Sequence, residues 1–167
     1  MIIAGNELTS LMEAQNSPEW PEWQQAMAEE LELLEQMGTW KLVPKPPNTI
    51  PIANKWVFIK KCNNNREEIC KRAWPVVKGC AQHPGYDYLE TYSPVVRIDT
   101  LCIILALVPL KNLQLQQIDI KGAYLNGILQ ETIYMHQLEE CEDGTHQVCL
   151  LIKTLYGLKQ AGCEWNH

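Results

Sequence analysis

The sequence predicts an α+β fold, and three observations carry it. One long amphipathic segment lies near the N-terminus, apart from everything β-like. Short β-type runs bounded by proline, glycine and asparagine then follow one another, without a regular strand–helix alternation. Finally, 167 residues of which 46% are apolar and 20% charged are enough to bury a core, and no internal repeat or low-complexity tract points elsewhere.

Residues 1–16 show no periodic pattern and are expected to be loose. Ser17-Pro18-Glu19 has the form of a helix start: a capping hydroxyl, a proline at the first position and an acid near the positive end of the helix dipole. Trp20, Trp23, Met27, Leu31, Leu34 and Met37 recur every three or four residues and define one apolar face over about five turns. Gly38 stands where a left-handed cap ends such a helix. Trp40 to Val43 reads as a short strand, broken by Pro44, Pro46 and Pro47.

Lys55 to Lys61 and Ile69 to Val77 read as a hairpin turning at Asn63 to Asn65. Pro75 removes a ladder donor there and demotes the second strand. Gly79 to Tyr88 reads as a loop, and Thr100 to Val108 as a buried helix, because it is apolar nearly all round, with its β-branched content leaving a strand as the alternative. Leu113 to Ile120 reads as a strand ending at a carboxylate, and Gly122 to Asn126 as a short helix or turn stopped by Gly127. Ile133 to His136 and Val148 to Lys153 are further strands, separated by an acidic loop from Glu139 to Gly144.

The seven cysteines form no C-x-x-C pair, and the four histidines add no ligand spacing, so reduced thiols are expected rather than a zinc site. No signal-peptide pattern opens the chain, and the apolar run from Leu101 to Leu110 is too short to span a membrane, which makes an intracellular protein the expectation. The net charge of −6 is unevenly spread. Glu19 to Thr39 holds six glutamates and no basic residue, whereas Lys55 to Lys78 holds seven basic residues against two acidic ones. Such a stretch can track a phosphate backbone or triphosphate, although taken alone a solvated hairpin with ordinary surface lysines is the better reading.

The segment that carries chemistry is Gln117 to Asn126. Asp119 sits near the end of the expected strand, just before a glycine turn, where a carboxylate can hold a divalent cation with the Ile120 carbonyl as a second oxygen ligand. On spacing alone this signal is weak, since an aspartate at a strand end more often just caps the next turn.

Asp119-Ile120-Lys121-Gly122-Ala123-Tyr124-Leu125-Asn126-Gly127 resembles the first palm motif of copia-type retrotransposon reverse transcriptases, D-V-K-x-A-[FY]-L-x-G. The resemblance continues in order from about Ser17 to the end: Gly38-Thr39-Trp40, Lys55-Trp56-Val57-Phe58, Val77-Lys78-Gly79 with Gln82, Gly85-Tyr86-Asp87-Tyr88, Glu90 to Val95, Ile133-Tyr134-Met135, and Leu155 to Gln160 with Trp165. It implies a partial right-hand polymerase fold, with a fingers hairpin, an incomplete palm sheet and packing helices, over residues 17–167. It also implies an RNA-directed DNA polymerase of a Pol polyprotein, acting on a primed RNA or DNA template with deoxynucleoside triphosphates. Two Mg²⁺ ions about 3.5–4 Å apart would serve the transfer. By the same resemblance Asp119 is the first catalytic carboxylate, with Ile120 lending a backbone oxygen to the metal. Tyr124 lies under the incoming sugar, Tyr156 and Gly157 border the nucleotide, and Lys60 or Lys61 contacts its phosphates.

Departures from the pattern limit this. The family reads K-A-R-[LW]-V-x-K-G where this chain reads Arg72-Ala73-Trp74-Pro75-Val76-Val77-Lys78-Gly79, so Trp74 stands in the place of the triphosphate-binding arginine. An indole offers one neutral N–H where a guanidinium offers a charged fork. Arg72 takes over the phosphate only if the strand runs unkinked past Pro75. No Asp-Asp pair occurs in the 167 residues, so the later Y-x-D-D motif is not among them, nor are thumb or RNase H regions. The expectation is a truncated, inactive polymerase relic. The alternatives are a non-catalytic nucleic-acid-binding remnant, or the N-terminal part of an active enzyme split by gene modelling.

Overall fold

The computed structural model describes residues 2–3, 8, 10–62, 68–142 and 144–167; the turn expected at Asn63 to Asn65 lies outside the described residues. Within the patternless N-terminal stretch, Ile2–Ile3 form strand β1 and Leu11–Gln15 form helix α1. Ser10 caps α1 by accepting from the Glu13 N–H at 3.3 Å, and Ala14 is fully buried. The long helix α2 spans Trp20–Gln36. Its cap is Glu19 rather than Ser17, and the proline of its first turn is Pro21 rather than Pro18. Ser17 instead accepts from the Glu19 N–H at 3.1 Å, which shapes the approach to the helix. Gly38, at φ +62°, ends α2 as its position implied: the Gly38 and Thr39 amides return to the Glu35 and Leu34 carbonyls at 2.9 and 3.1 Å.

Two three-stranded antiparallel sheets follow. The first has the order β1-β3-β4, with β3 at Asn54–Cys62 and β4 at Glu68–Val77. The second has the order β2-β6-β5, built from Trp40–Pro44, Gln147–Lys153 and Ile128–Met135. Ile52 stitches the sheets together, donating to the Tyr134 carbonyl at 2.8 Å and accepting from the His136 N–H at 3.1 Å. Alternation sets the faces of the hairpin. Trp56, Phe58, Ala73 and Val77 point into the core, and Lys60 and Lys71 lie on that same side over α2. Trp23 meets Phe58 edge to face at 5.4 Å between ring centroids, and Trp56 stacks on Phe58 at 6.4 Å. Emptying the Trp23 site would cost about 3–5 kcal/mol.

One expectation is met and two change. Pro75 does not disturb its strand: β4 is an edge strand, as the demotion implied, and the pairing runs through Trp56↔Pro75 to Asn54↔Val77. An edge strand can spare one N–H on its outer side. The helix expected at Thr100 to Val108 exists as α3, Ile98–Leu110, but none of its residues is buried. Leu113 to Ile120 is not a strand. It is irregular and exposed throughout, because no neighbouring strand among the described residues offers it a hydrogen-bond ladder. The chain closes with helix α4, Ala161–Asn166.

Candidate functional site

The 3-10 turn at Ala123–Asn126 is held from three sides. Gly122 enters it at φ +61°, where a side chain would also press on Leu125. Leu125 is fully buried and anchors the turn in the core. Thr154, at the end of β6, donates its hydroxyl to the Tyr124 carbonyl and its N–H to the Gly127 carbonyl, the latter at 2.9 Å. Tyr124 is thereby fixed at its backbone while its ring stays exposed. Asp119 and Ile120 lie just outside this anchored turn, on the irregular exposed segment. Among the described residues no hydrogen bond or ion pair engages Asp119, and no group of three or more His, Cys, Asp or Glu side chains stands together as a metal site.

Tyr156 and Gly157 are built into the hairpin's end. The Val77 N–H donates to the Tyr156 carbonyl at 2.8 Å. Gly79 and Gly157 press backbone on backbone: a Cβ on Gly79 would stand 2.1 Å from the Gly157 oxygen, and one on Gly157 would stand 2.2 Å from the Val77 oxygen. Two buried glutamines lock the same junction. Gln82 donates to Gln160 at 3.0 Å and accepts from the Lys159 N–H at 2.9 Å, while Gln160 donates to the Asp87 carbonyl at 2.8 Å. Segments far apart in sequence, 77–88 and 154–160, therefore form one unit.

The candidate phosphate-binding cations divide between the two faces of the hairpin. Lys60 is turned onto α2 and paired with Glu19, and Lys71 beside it reaches Glu22 at 2.5 Å and Glu19 at 3.6 Å. The Lys60 ammonium, hydrogen-bonded to Glu19, holds that carboxyl below its usual range. Lys61, Arg72 and Trp74 project from the opposite face, since Lys61, Ile59 and Val57 pair with Cys70, Arg72 and Trp74. Lys61 stands 5.8 Å over the Trp74 ring, and Trp74 lies 6.4 Å from the Tyr156 ring. Because β4 is unkinked, Arg72 and Trp74 share a face.

One residue escaped the sequence reading. Glu30 sits within the buried stripe of α2, 5% exposed, in the 4-3-4 spacing Trp23, Met27, Glu30, Leu34 that would otherwise be wholly apolar. An acid inside an apolar stripe was the available signal. Its Oε1 has no hydrogen-bond partner, and it borders a pocket of about 30 Å³ shared with Lys71, Arg72 and Lys121. Burial raises the Glu30 pKa, against the opposing pull of Arg72 and a hydrogen bond from Tyr156. Burial, with the adjacent Glu30 charge, pushes the Tyr156 hydroxyl to about 12.

Residues 37–167 match the family model described as reverse transcriptase (RNA-dependent DNA polymerase). The chain belongs to the reverse transcriptase family. It is 41% identical over 167 residues to the retrovirus-related Pol polyprotein from transposon TNT 1-94 of Nicotiana tabacum, covering 99% of this chain and 13% of that polyprotein. It is 38% identical over 146 residues to the corresponding polyprotein from transposon RE2 of Arabidopsis thaliana, covering 86% of this chain and 10% of that one. These are copia-type elements, as the motifs implied. An uncharacterized mitochondrial protein of Arabidopsis thaliana, AtMg00820, is 45% identical over 85 residues, covering about half of each chain. This reverse-transcriptase chain thus spans roughly a tenth of the polyproteins it resembles. No solved structure matches it. Among the described residues no helix is long and apolar enough to cross a membrane.

Proposed function

We propose that this chain is the fingers and part of the palm of an RNA-directed DNA polymerase, arranged as a partial right-hand fold. It supplies one metal-binding carboxylate, Asp119, and does not transfer nucleotides alone. The observation that supports this reading is the interlock of β4 with Tyr156-Gly157. It ties the hairpin that would fold over a triphosphate to the segment that would border the nucleotide.

Mg²⁺ asks for near-octahedral oxygen coordination. Asp119 and the Ile120 carbonyl offer two such oxygens, and among the described residues no group of three or more His, Cys, Asp or Glu side chains stands together to complete the set. The residues present therefore do not make a complete Mg²⁺ site. Carboxylates that act as a unit lose nearly all activity when any is missing. Trp74 in the place of a charged fork points the same way.

A second reading, the N-terminal part of an active enzyme whose remainder lies outside this chain, is favoured by the uncovered apolar surface of α3 and residues 113–120. A primer-extension assay on the 167-residue chain with Mg²⁺ and a primed RNA template tests the first reading. No extension is expected. Extension that Asp119→Asn abolishes would overturn it.

A further inference from the structure

We propose that Glu30 is a positioning residue: its buried carboxylate holds the Lys121 ammonium through one water and so fastens to α2 the segment that carries Asp119. Glu30 stands in the apolar stripe of α2, 5% exposed, on the face made by Trp23, Met27 and Leu34. Its Oε1 is buried and meets no hydrogen-bond donor. A buried carboxylate with an unsatisfied oxygen costs stability, so the core alone would be better served by an uncharged side chain. The use of Glu30 lies in what it faces.

Glu30 lines a pocket of about 30 Å³, room for about one water, together with Glu29, Lys71, Arg72 and Lys121. Two of these are already engaged: Lys71 by Glu19 and Glu22, and Glu29 by Gln25 at 3.1 Å. Arg72 and Lys121 are left to balance Glu30. Burial opposes the charge on Glu30, while Arg72, a hydrogen bond from Tyr156 and Lys121 favour it, in that order. The two cations differ in how their backbones are held. Arg72 is fixed beside α2 by the β3–β4 ladder. Lys121 lies on the irregular exposed segment, one residue from Ile120 and two from Asp119. Beyond it the chain is anchored by Leu125 and Thr154, but among the described residues no backbone hydrogen bond engages 114–121. A tie at Lys121 therefore sets how far the Asp119 backbone strays from α2. That Asp119 needs holding rests on the metal-binding reading above; the tie itself does not.

The test is limited trypsin digestion of the full chain, carried on a solubilising fusion and followed by mass spectrometry, without metal or nucleotide. Trypsin must draw the lysine side chain into its own pocket, so a lysine held by Glu30 is cut slowly. Cleavage after Lys121 is compared with cleavage after Lys41 in β2 and Lys111 at the end of α3, neither of which lines the Glu30 pocket. Glu30→Gln keeps the shape and removes the charge. It is expected to speed cleavage after Lys121 about threefold to fivefold, the factor that a partly exposed ion pair supplies, and to leave the other two sites unchanged. Lys121→Arg, still a trypsin site, is expected to keep the slow cleavage and to lose it when combined with Glu30→Gln. An unchanged rate after Lys121 in Glu30→Gln overturns the proposal, as does a rise shared by all three sites, which is general loosening. A Glu30→Gln chain that fails to fold overturns it too, because a positioning residue is dispensable to the core. The digest needs no polymerase activity, so failure of the tie is read here and failure of the polymerase reading in primer extension.

Discussion

At the scale of single residues, the family motifs serve structure as much as chemistry. Gly157 borders the place where a nucleotide is expected, yet what requires glycine there is the fold: φ is +90°, and a Cβ would meet the Val77 oxygen at 2.2 Å. Gly157→Ala should therefore destabilise the chain by about 3 kcal/mol or more, read as a fall in the urea midpoint. A midpoint within error of the native one would show that the junction gives way freely. Glu30 works in the opposite direction. Unfolded, it loses its proton near 4.5; folded, burial keeps the proton to higher pH. Folding binds a proton across that window, so stability declines as pH rises from about 4.5 through the raised value. Glu30→Gln should raise the melting temperature at pH 7 by about 3 °C, the equivalent of roughly 1 kcal/mol in a chain of this size. The gain should vanish near pH 4. A lower melting temperature at pH 7 would mean that the carboxylate's attraction to the Arg72 charge and its interaction with Tyr156 outweigh its burial.

At the scale of elements, the limit on what the sequence revealed has a physical cause. Helix α2 and the β3–β4 hairpin were legible because periodicity and partners coincide: the apolar face of α2 meets Phe58 and its neighbours, and each hairpin strand finds the other adjacent in sequence. Pro75 demotes β4 to an edge position as expected, and it does not disturb the pairing because an edge strand can spare the missing donor. The contrast between α3 and residues 113–120 is sharper. Both are rich in Leu and Ile, and neither is covered. The helix forms anyway, since its backbone hydrogen bonds are internal. The strand does not, since its ladder must come from elsewhere. Asp119 follows from its motif, but its setting does not, because the expected strand was to hold it. The cation faces of the hairpin were hidden in the same way, since register assigns Lys60 to Glu19 and Lys61 to Trp74. Exposed apolar surface on this scale promotes self-association. Replacing Ile103, Ile104 and Leu107 of α3 with Gln should raise the soluble monomer fraction in size-exclusion chromatography without lowering the melting temperature. A drop in melting temperature would show that α3 is packed in solution.

At the scale of the whole molecule, the chain is a well-packed unit of two sheets and α2 joined to an apolar segment that lacks cover. The two sheets, α2 and the glutamine-locked junction share one core through Trp56, Phe58, Ile133, Met135 and Leu155. The stretch from Val95 to Ile120, which bears Asp119, adds almost nothing to it. Such an imbalance suits a part of a larger catalytic unit, in keeping with its span of 13% of the tobacco polyprotein. The central claim is that Asp119 is one carboxylate of a metal set completed by other residues. The most direct measurement joins this chain to the polypeptide that follows the matching region in the tobacco relative and assays Mg²⁺-dependent primer extension. With Trp74→Arg restoring the charged fork, extension should rise at least about tenfold over the unaltered chimera, the rate equivalent of one charged hydrogen bond. Asp119→Asn in that restored chimera should abolish it. Extension that persists after Asp119→Asn would contradict the claim.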